Sequence, residues 1–196
     1  MQILTCSPHA GGSTDTIAAI VSESAAASGV PSDIISLRDH VIRPCTGCGF
    51  CTTHPDSCIL DGNGDEARNL LRSISGNDLT VFAIPVYFYG PPALFKGLVD
   101  RAQRYWSQSK RQTEKDARRP AMAVLCAART RGERLFEANL LILRCFLDAL
   151  GLRLQNPLLL RGIETPADIL GNPEVLSRLH GMGHEAALFA RGGHHA

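Results

Sequence analysis

The chain has 196 residues, 44% of them hydrophobic and 20% charged, with a formal net charge of +1 at pH 7. That length predicts one domain with a single good core, and the near-neutral balance makes no general case for nucleic acid or an acidic partner. No apolar run approaches the roughly 18 residues that a membrane span needs, and no basic stretch followed by an apolar one opens the chain, so no signal peptide is read and the cytoplasm is the expected location.

Gln2–Cys6 is a short apolar run that reads as a buried strand ending in the loop Ser7-Pro8-His9-Ala10-Gly11-Gly12-Ser13-Thr14. A helix is predicted over Thr14–Ser28, with Ile17, Ile20, Val21 and Ala25 on helical spacing and Gly29 ending it. Asp33–Leu37 reads as a second strand and Arg38–Gly64 as a loop holding four cysteines. A helix over Asp65–Ser75 carries Ala67, Leu70, Leu71 and Ile74 on one face, and Leu79–Pro85 is a strongly apolar third strand. Pro91–Trp106 reads as a helix with proline in its first turn, and Ser107–Arg119 as a polar, charged segment. Ala121–Ala127 is a fourth strand, Gly132–Leu150 a long amphipathic helix, Leu152–Leu160 a fifth strand, and Glu174–Ala190 a last helix. The expected organisation is a single domain over 1–190, with a cysteine-rich loop at 40–62 and a disordered tail at 191–196. Strands alternating with helices predict an α/β fold of flavodoxin type: a doubly wound, five-stranded parallel sheet in the order 2-1-3-4-5 with helices on both faces. Ligands then bind beyond the carboxyl ends of the strands, among the loops after strands 1, 3 and 4.

The first loop leads directly into a helix N-terminus, where free N–H groups and the helix dipole favour a phosphate. Ser7, Ser13 and Thr14 add hydroxyls. The loop is not G-x-G-x-x-G and lacks Gly-Lys-Ser/Thr, which speaks against a dinucleotide pyrophosphate and a nucleoside triphosphate. A terminal phosphate monoester such as that of FMN suits it. The same residues also read as a plain connection capped by Ser13.

The second loop, Pro85-Val86-Tyr87-Phe88-Tyr89-Gly90-Pro91-Pro92, places three consecutive aromatics at a strand's carboxyl end. They read either as flanks for a planar ring or as packing in the core or at a subunit interface.

Four of the seven cysteines, Cys45, Cys48, Cys51 and Cys58, follow a C-x2-C-x2-C-x6-C spacing. Gly47 and Gly49 allow the tight backbone that convergent thiolates need. An odd number of cysteines in a cytoplasmic chain speaks against a disulfide framework. Three readings stand: a [4Fe–4S] cluster, whose spacing this resembles; free or relic thiols; and a dithiol redox pair. Zinc sites more often separate two C-x-x-C pairs by a long loop, and His54 reads as solvent-facing. Cys126 and Cys145 read as core residues, and Cys6 as a small buried one.

Taken together, Ile3–Thr16, Pro44–Cys58 and Val81–Arg101, with Gly47-Cys48, Pro85-Val86-Tyr87-Phe88 and Leu94-Phe95-Lys96-Gly97-Leu98-Val99-Asp100-Arg101, resemble the NADPH-dependent FMN reductase and iron–sulfur flavoprotein families of the flavodoxin-like superfamily. The resemblance implies FMN held by its phosphate at Ser7, His9, Gly12, Ser13 and Thr14, and by its ring at Pro85, Val86, Tyr87, Phe88, Gly90 and Ala128. His9 stands where the family often has arginine, which gives a weaker, pH-dependent phosphate contact. It further implies NAD(P)H as co-substrate and [4Fe–4S] ligation by Cys45, Cys48, Cys51 and Cys58. No protein acid–base residue is called for, since FMN carries the chemistry. The third loop, Ala127-Ala128-Arg129-Thr130-Arg131-Gly132, departs from the family's Gly-rich sequence; its two arginines read either as approaching the flavin pyrimidine edge or a nicotinamide cofactor's phosphate, or as solvated, the reading preferred. The seven lysines and arginines of Arg101–Arg119 are read as a solvated face rather than a nucleic-acid patch, with an acidic redox partner or an NADPH phosphate as the functional alternative and Tyr105 and Trp106 at a subunit contact. The expected partners are a redox protein or a small-molecule electron acceptor, and a second copy in a homodimer or homotetramer. The alternative is a non-enzymatic flavin- or metal-binding protein whose cysteines hold zinc or no metal.

Overall fold

Apolar residues fill most positions of the three central strands, and a strand buried on both faces needs a layer of helices on each side. The computed structural model, which describes residues 1–109 and 118–192, has that arrangement. Its strands β1 (Gln2–Thr5), β2 (Asp33–Ser36), β3 (Thr80–Pro85), β4 (Arg119–Ala127) and β5 (Leu152–Arg161) pair in parallel in the order β2-β1-β3-β4-β5. The flavodoxin-type sheet expected from the sequence is therefore the one formed. Among the described residues no helix is long and apolar enough to cross a membrane.

Side chains alternate across the sheet. Ile3, Val81, Ala83, Met122 and Val124 pack with helices α1 (Ser13–Ala27) and α8 (Pro173–Gly192). Leu4, Phe82, Ile84, Ala123 and Leu125 pack on the other face with α3 (Ala67–Gly76), α4 (Ala93–Arg101) and α6 (Glu137–Ala149). There Phe82, Phe95 and Phe146 meet with ring centroids 5.7–6.3 Å apart in tilted and edge-on contacts, the geometry that aromatic quadrupoles favour. In β5 the register slips by one residue at Asn156 and Pro157, opposite Ala123. Before the slip Leu152 and Leu154 join the α6 face; after it Leu158 and Leu160 join the α8 face.

Helices α1 and α8 approach closely at Gly183, where a Cβ would lie 2.5 Å from Ser24 Cβ and 2.7 Å from Val21 O. Two side-chain pairs stitch the same seam, Ser24 Oγ with His180 Nδ1 at 2.7 Å and Ser28 Oγ with His184 Nδ1 at 2.8 Å.

Several boundaries differ from the sequence reading for identifiable reasons. Pro91 is followed by proline and so is disfavoured in a helix; Pro92 is extended and α4 starts at Ala93. The single helix expected to Trp106 is two, α4 and α5 (Gln103–Ser109), interrupted at Ala102, whose N–H bonds to Val99 O. The helix expected from Gly132 begins only at Glu137, because Arg134 is left-handed with φ 58°. One-turn α2 (Phe50–Thr53) lies inside the cysteine loop, and α7 (Pro166–Leu170) was not anticipated. The cue for α7 was local: Thr165 and Asp168 form a capping box around Pro166. Of the charged segment and the tail, residues 110–117 and 193–196 lie outside the described residues, while Arg191 and Gly192 close α8.

Candidate functional site

The first loop is held in shape by its own neighbours. Gly11 is left-handed, with φ 68°, and its N–H donates to Asp15 Oδ2 at 2.7 Å. Arg38, on the short turn Leu37–Asp39 after β2, pairs with that carboxylate at 3.0 Å and reaches His9 O at 3.4 Å. Ser7 is buried and its Oγ accepts the His9 N–H at 3.1 Å; the His9 residue itself is exposed. The alternative in which Ser13 caps the helix does not hold. Gly12 occupies the cap position with no side-chain cap bond, and Ser13 Oγ donates instead to Glu164 O at 3.0 Å. Thr14 is buried, 1% exposed, and its hydroxyl has no partner. An uncapped helix start beside an orphaned buried hydroxyl is a donor set without its acceptor, and a phosphate oxygen supplies one.

The second loop folds back as a tight turn. Tyr87 and Gly90 exchange backbone hydrogen bonds of 2.8 and 2.9 Å, and Val86 N–H donates to Cys126 O at 2.8 Å. Val86, Tyr87, Phe88 and Tyr89 line a cleft of about 640 Å³ together with Ala127, Ala128 and Arg129 of the third loop. Leu135 and Glu164 complete it, so Glu164 joins the cleft to Ser13 of the first loop. Phe88 is fully solvent-exposed at the tip of the turn. The sequence-predicted ring residues Val86, Tyr87, Phe88 and Ala128 thus gather on one cleft, with Pro85 and Gly90 bracketing the turn. Ser7, His9, Gly12 and Thr14 lie in the first loop beyond its lining, reached through Ser13.

Sequence reasoning passed over Glu164 and Leu135. Arg129 is exposed, in line with the solvated reading, yet its guanidinium is engaged: it lies 5.6 Å from the Tyr89 ring centroid and donates to Tyr89 Oη at 3.3 Å. A second concavity of about 330 Å³ lies between α4–α5 and α6, lined by apolar groups such as Val99, Ile142 and Phe146. Lys96, Asp100, Gln103 and Trp106 also line it. Cys145, expected in the core, is exposed on its wall.

The cysteine loop takes the two left-handed glycine turns expected of it, with φ 67° at Gly47 and 75° at Gly49. Cys45, Cys51 and Cys58 are half-buried and Cys48 is exposed. Among the described residues no three His, Cys, Asp or Glu side chains come together as metal ligands, so the four thiols as placed do not form a cluster site. His54 is exposed and stacks on Phe50, with centroids 4.0 Å apart. Cys6 and Cys126 are buried, and burial pushes the Cys126 thiol up to about 12.

Two arginines read as part of a solvated face are instead buried under this loop. Arg101 and Arg104 are 2% and 1% exposed. Arg101 donates to Asp65 Oδ2 at 2.8 Å, to Asp61 Oδ1 at 3.1 Å and to Arg43 O at 2.9 Å. Arg104 grips both oxygens of Asp61 at 2.6 and 2.7 Å. Burial alone would raise both carboxyls; for Asp61 the hydrogen bond and charge of Arg104 outweigh it, for Asp65 those of Arg101, and both end below the ordinary carboxylate range. The end of α4 and the start of α5 are thereby fastened to the segment that carries Cys58.

Comparison with known proteins adds lineage to this geometry. The family model described as NADPH-dependent FMN reductase matches residues 1–154. An iron-sulfur flavoprotein of Methanocaldococcus jannaschii is 30% identical over 97 residues, which are 50% of this chain and 48% of that protein; the match thus spans about half the length of that relative. A flavone reductase superposes with a TM-score of 0.65 at 19% identity, covering 100% of this chain and 65% of its own. An FMN-dependent NADH-azoreductase from Bacillus anthracis, solved in complex with FMN, gives 0.60 at 15% identity over 95% of this chain and 97% of its own. At such identities the two structures speak for the fold.

Proposed function

The chain belongs to the NADPH-dependent FMN reductase family, and from that premise we propose that it is an FMN-dependent oxidoreductase that draws on NAD(P)H and reduces a small-molecule acceptor or a redox partner. The observation that carries this reading is the Thr14 hydroxyl, buried without a partner at the uncapped start of α1. Ser7, Ser13, Thr14 and the Gly12 backbone would hold the phosphate, with His9 beside them. Pro85, Val86, Tyr87, Phe88, Gly90 and Ala128 would hold the ring along the cleft. FMN, when bound, supplies the redox-active ring; the residues of this chain bind it, orient it and exclude water from one face. With no fixed guanidinium among the phosphate residues, affinity rests on neutral donors and the helix terminus.

Thr14→Val tests the assignment, because it keeps the shape and removes the donor. Titration of the apoprotein with FMN is expected to show binding weakened by about tenfold or more, the size of one hydrogen bond to a charged group. Apoprotein stability should not fall, since the hydroxyl has no partner to lose. A wild-type protein that takes up no FMN would overturn the reading, and an unchanged affinity would remove Thr14 from the phosphate site.

A second reading assigns a [4Fe–4S] cluster to Cys45, Cys48, Cys51 and Cys58. The spacing favours it, as does the partial match to an iron-sulfur flavoprotein. The thiols as placed do not fit a cluster, so the loop would have to close around it upon the buried arginines. Anaerobic reconstitution is expected to load about four irons per chain and Cys58→Ala to lose them. Absence of iron, or iron content indifferent to that substitution, rejects the cluster and leaves the flavin reading standing.

A further inference from the structure

The turn that shapes the cleft is under strain at two adjacent positions. Phe88 and Tyr89 both lie in the left-handed region, with φ 50° and 65°. Two-residue turns of this hand are normally built from Asn-Gly or Gly-Gly, and a residue with a Cβ there is disfavoured. Such a conformation persists only where the surroundings over-determine it. Tyr89 is held from three directions. Asn139, in the first turn of α6 and 2% exposed, donates from Nδ2 to Tyr89 O at 2.9 Å. Arg129 holds the ring and its hydroxyl. Gly132, with φ 128°, leaves room for that hydroxyl, which would lie 3.2 Å from a Cβ there.

We infer that Asn139 is a positioning residue of the flavin-ring turn: its buried amide fixes Tyr89 in the left-handed conformation, so that Tyr87 and Phe88 present the cleft wall. Tyr89 is then a clamped post rather than a ring-stacking face. Asn139 Oδ1 is buried without a partner, so packing around this side chain does not serve its own hydrogen bonding; the donor side is the one in use. This inference rests on the FMN reading for its consequence, but the turn geometry is testable without FMN.

The experiment compares wild type, Asn139→Leu, Tyr89→Gly and the double variant Asn139→Leu/Tyr89→Gly, each as the full chain. In FMN titrations Asn139→Leu is expected to bind about tenfold more weakly than wild type. Tyr89→Gly is the reference for the ring lost from the cleft, and adding Asn139→Leu to it should change affinity by less than about threefold, because glycine adopts a positive φ without strain and no longer needs the tether. A merely structural role for Asn139 would cost the same in both backgrounds. Wild-type affinity in Asn139→Leu, or a double variant about tenfold weaker than Tyr89→Gly alone, overturns the inference. In parallel, apoproteins are digested briefly with chymotrypsin and cleavage after residues 87–89 is mapped by mass spectrometry. Asn139→Leu should be cut there about tenfold faster than wild type, while equal rates overturn the inference. If wild type takes up no FMN, the functional reading fails alone and the proteolysis still decides the turn.

Discussion

Arg101→Met is expected to lower the unfolding free energy by about 3–5 kcal/mol, the range for removing one partner of a buried ion pair. Methionine retains much of the packing volume but leaves Asp65, whose side chain is fully buried, facing no counter-charge. The sign of the pH dependence follows from the depressed carboxyls. Asp61 and Asp65 bind protons more weakly in the folded chain than in the unfolded one. Their contribution is therefore complete above the unfolded range, about pH 4, and is lost as pH falls through the lower folded values. In Arg101→Met burial acts on Asp65 without that guanidinium to oppose it, so protonation relieves the variant as pH falls. Urea denaturation at pH 7 and near pH 3 should show the gap between wild type and variant shrinking on acidification. A loss below 1 kcal/mol at neutral pH, or a gap independent of pH, would contradict the ion-pair account.

Gly183→Val should cost about 3 kcal/mol, the upper range for overpacking a close contact. The new side chain meets Ser24 Cβ and the Val21 carbonyl below 3.0 Å, and backbone on one side leaves no rotamer to yield. Separating α1 from α8 also strains the Ser24–His180 and Ser28–His184 bonds. Gly181 is the internal control. It lies in the same helix with nothing within 4 Å of its would-be Cβ, so Gly181→Ala should gain up to about 1 kcal/mol from helix propensity alone. Thermal denaturation of the two variants should move in opposite directions. Equal shifts would show that the seam accommodates a side chain at 183.

The sheet order was legible because Phe82 and Leu125 sit in unbroken apolar runs and Leu4 in a short, mostly apolar one, and such runs separated by helical periodicity admit few topologies. The cleft was legible in part. Val86, Tyr87 and Phe88 announce themselves as aromatic or apolar residues at a strand's end, and Ser13-Thr14 as hydroxyls before a helix. What escaped reading depends on partners far away in sequence. Arg101 and Arg104 look like members of a basic face until Asp61 and Asp65, some forty residues earlier, fold beneath them. Nothing local marks Glu164 as a neighbour of Ser13, or Asn139 as the tether of Tyr89. Helix ends went astray where one residue's backbone decided them, as at Arg134 and Pro92. Thr165–Asp168 is the exception, a local signal that was present and passed over.

The one-residue slip in β5 has a consequence beyond which core its leucines join. β5 is the outermost strand on its side of the sheet, and its outer rim offers unpaired backbone groups to any other extended chain. Asn156, left-handed at φ 35°, and Pro157, which has no N–H, interrupt that rim near its middle. A ten-residue strand that would otherwise be a long, regular template is thereby divided into two short ones. The same local irregularity that repacks Leu158 and Leu160 makes that edge a poorer template for another strand than a regular ten-residue rim would be.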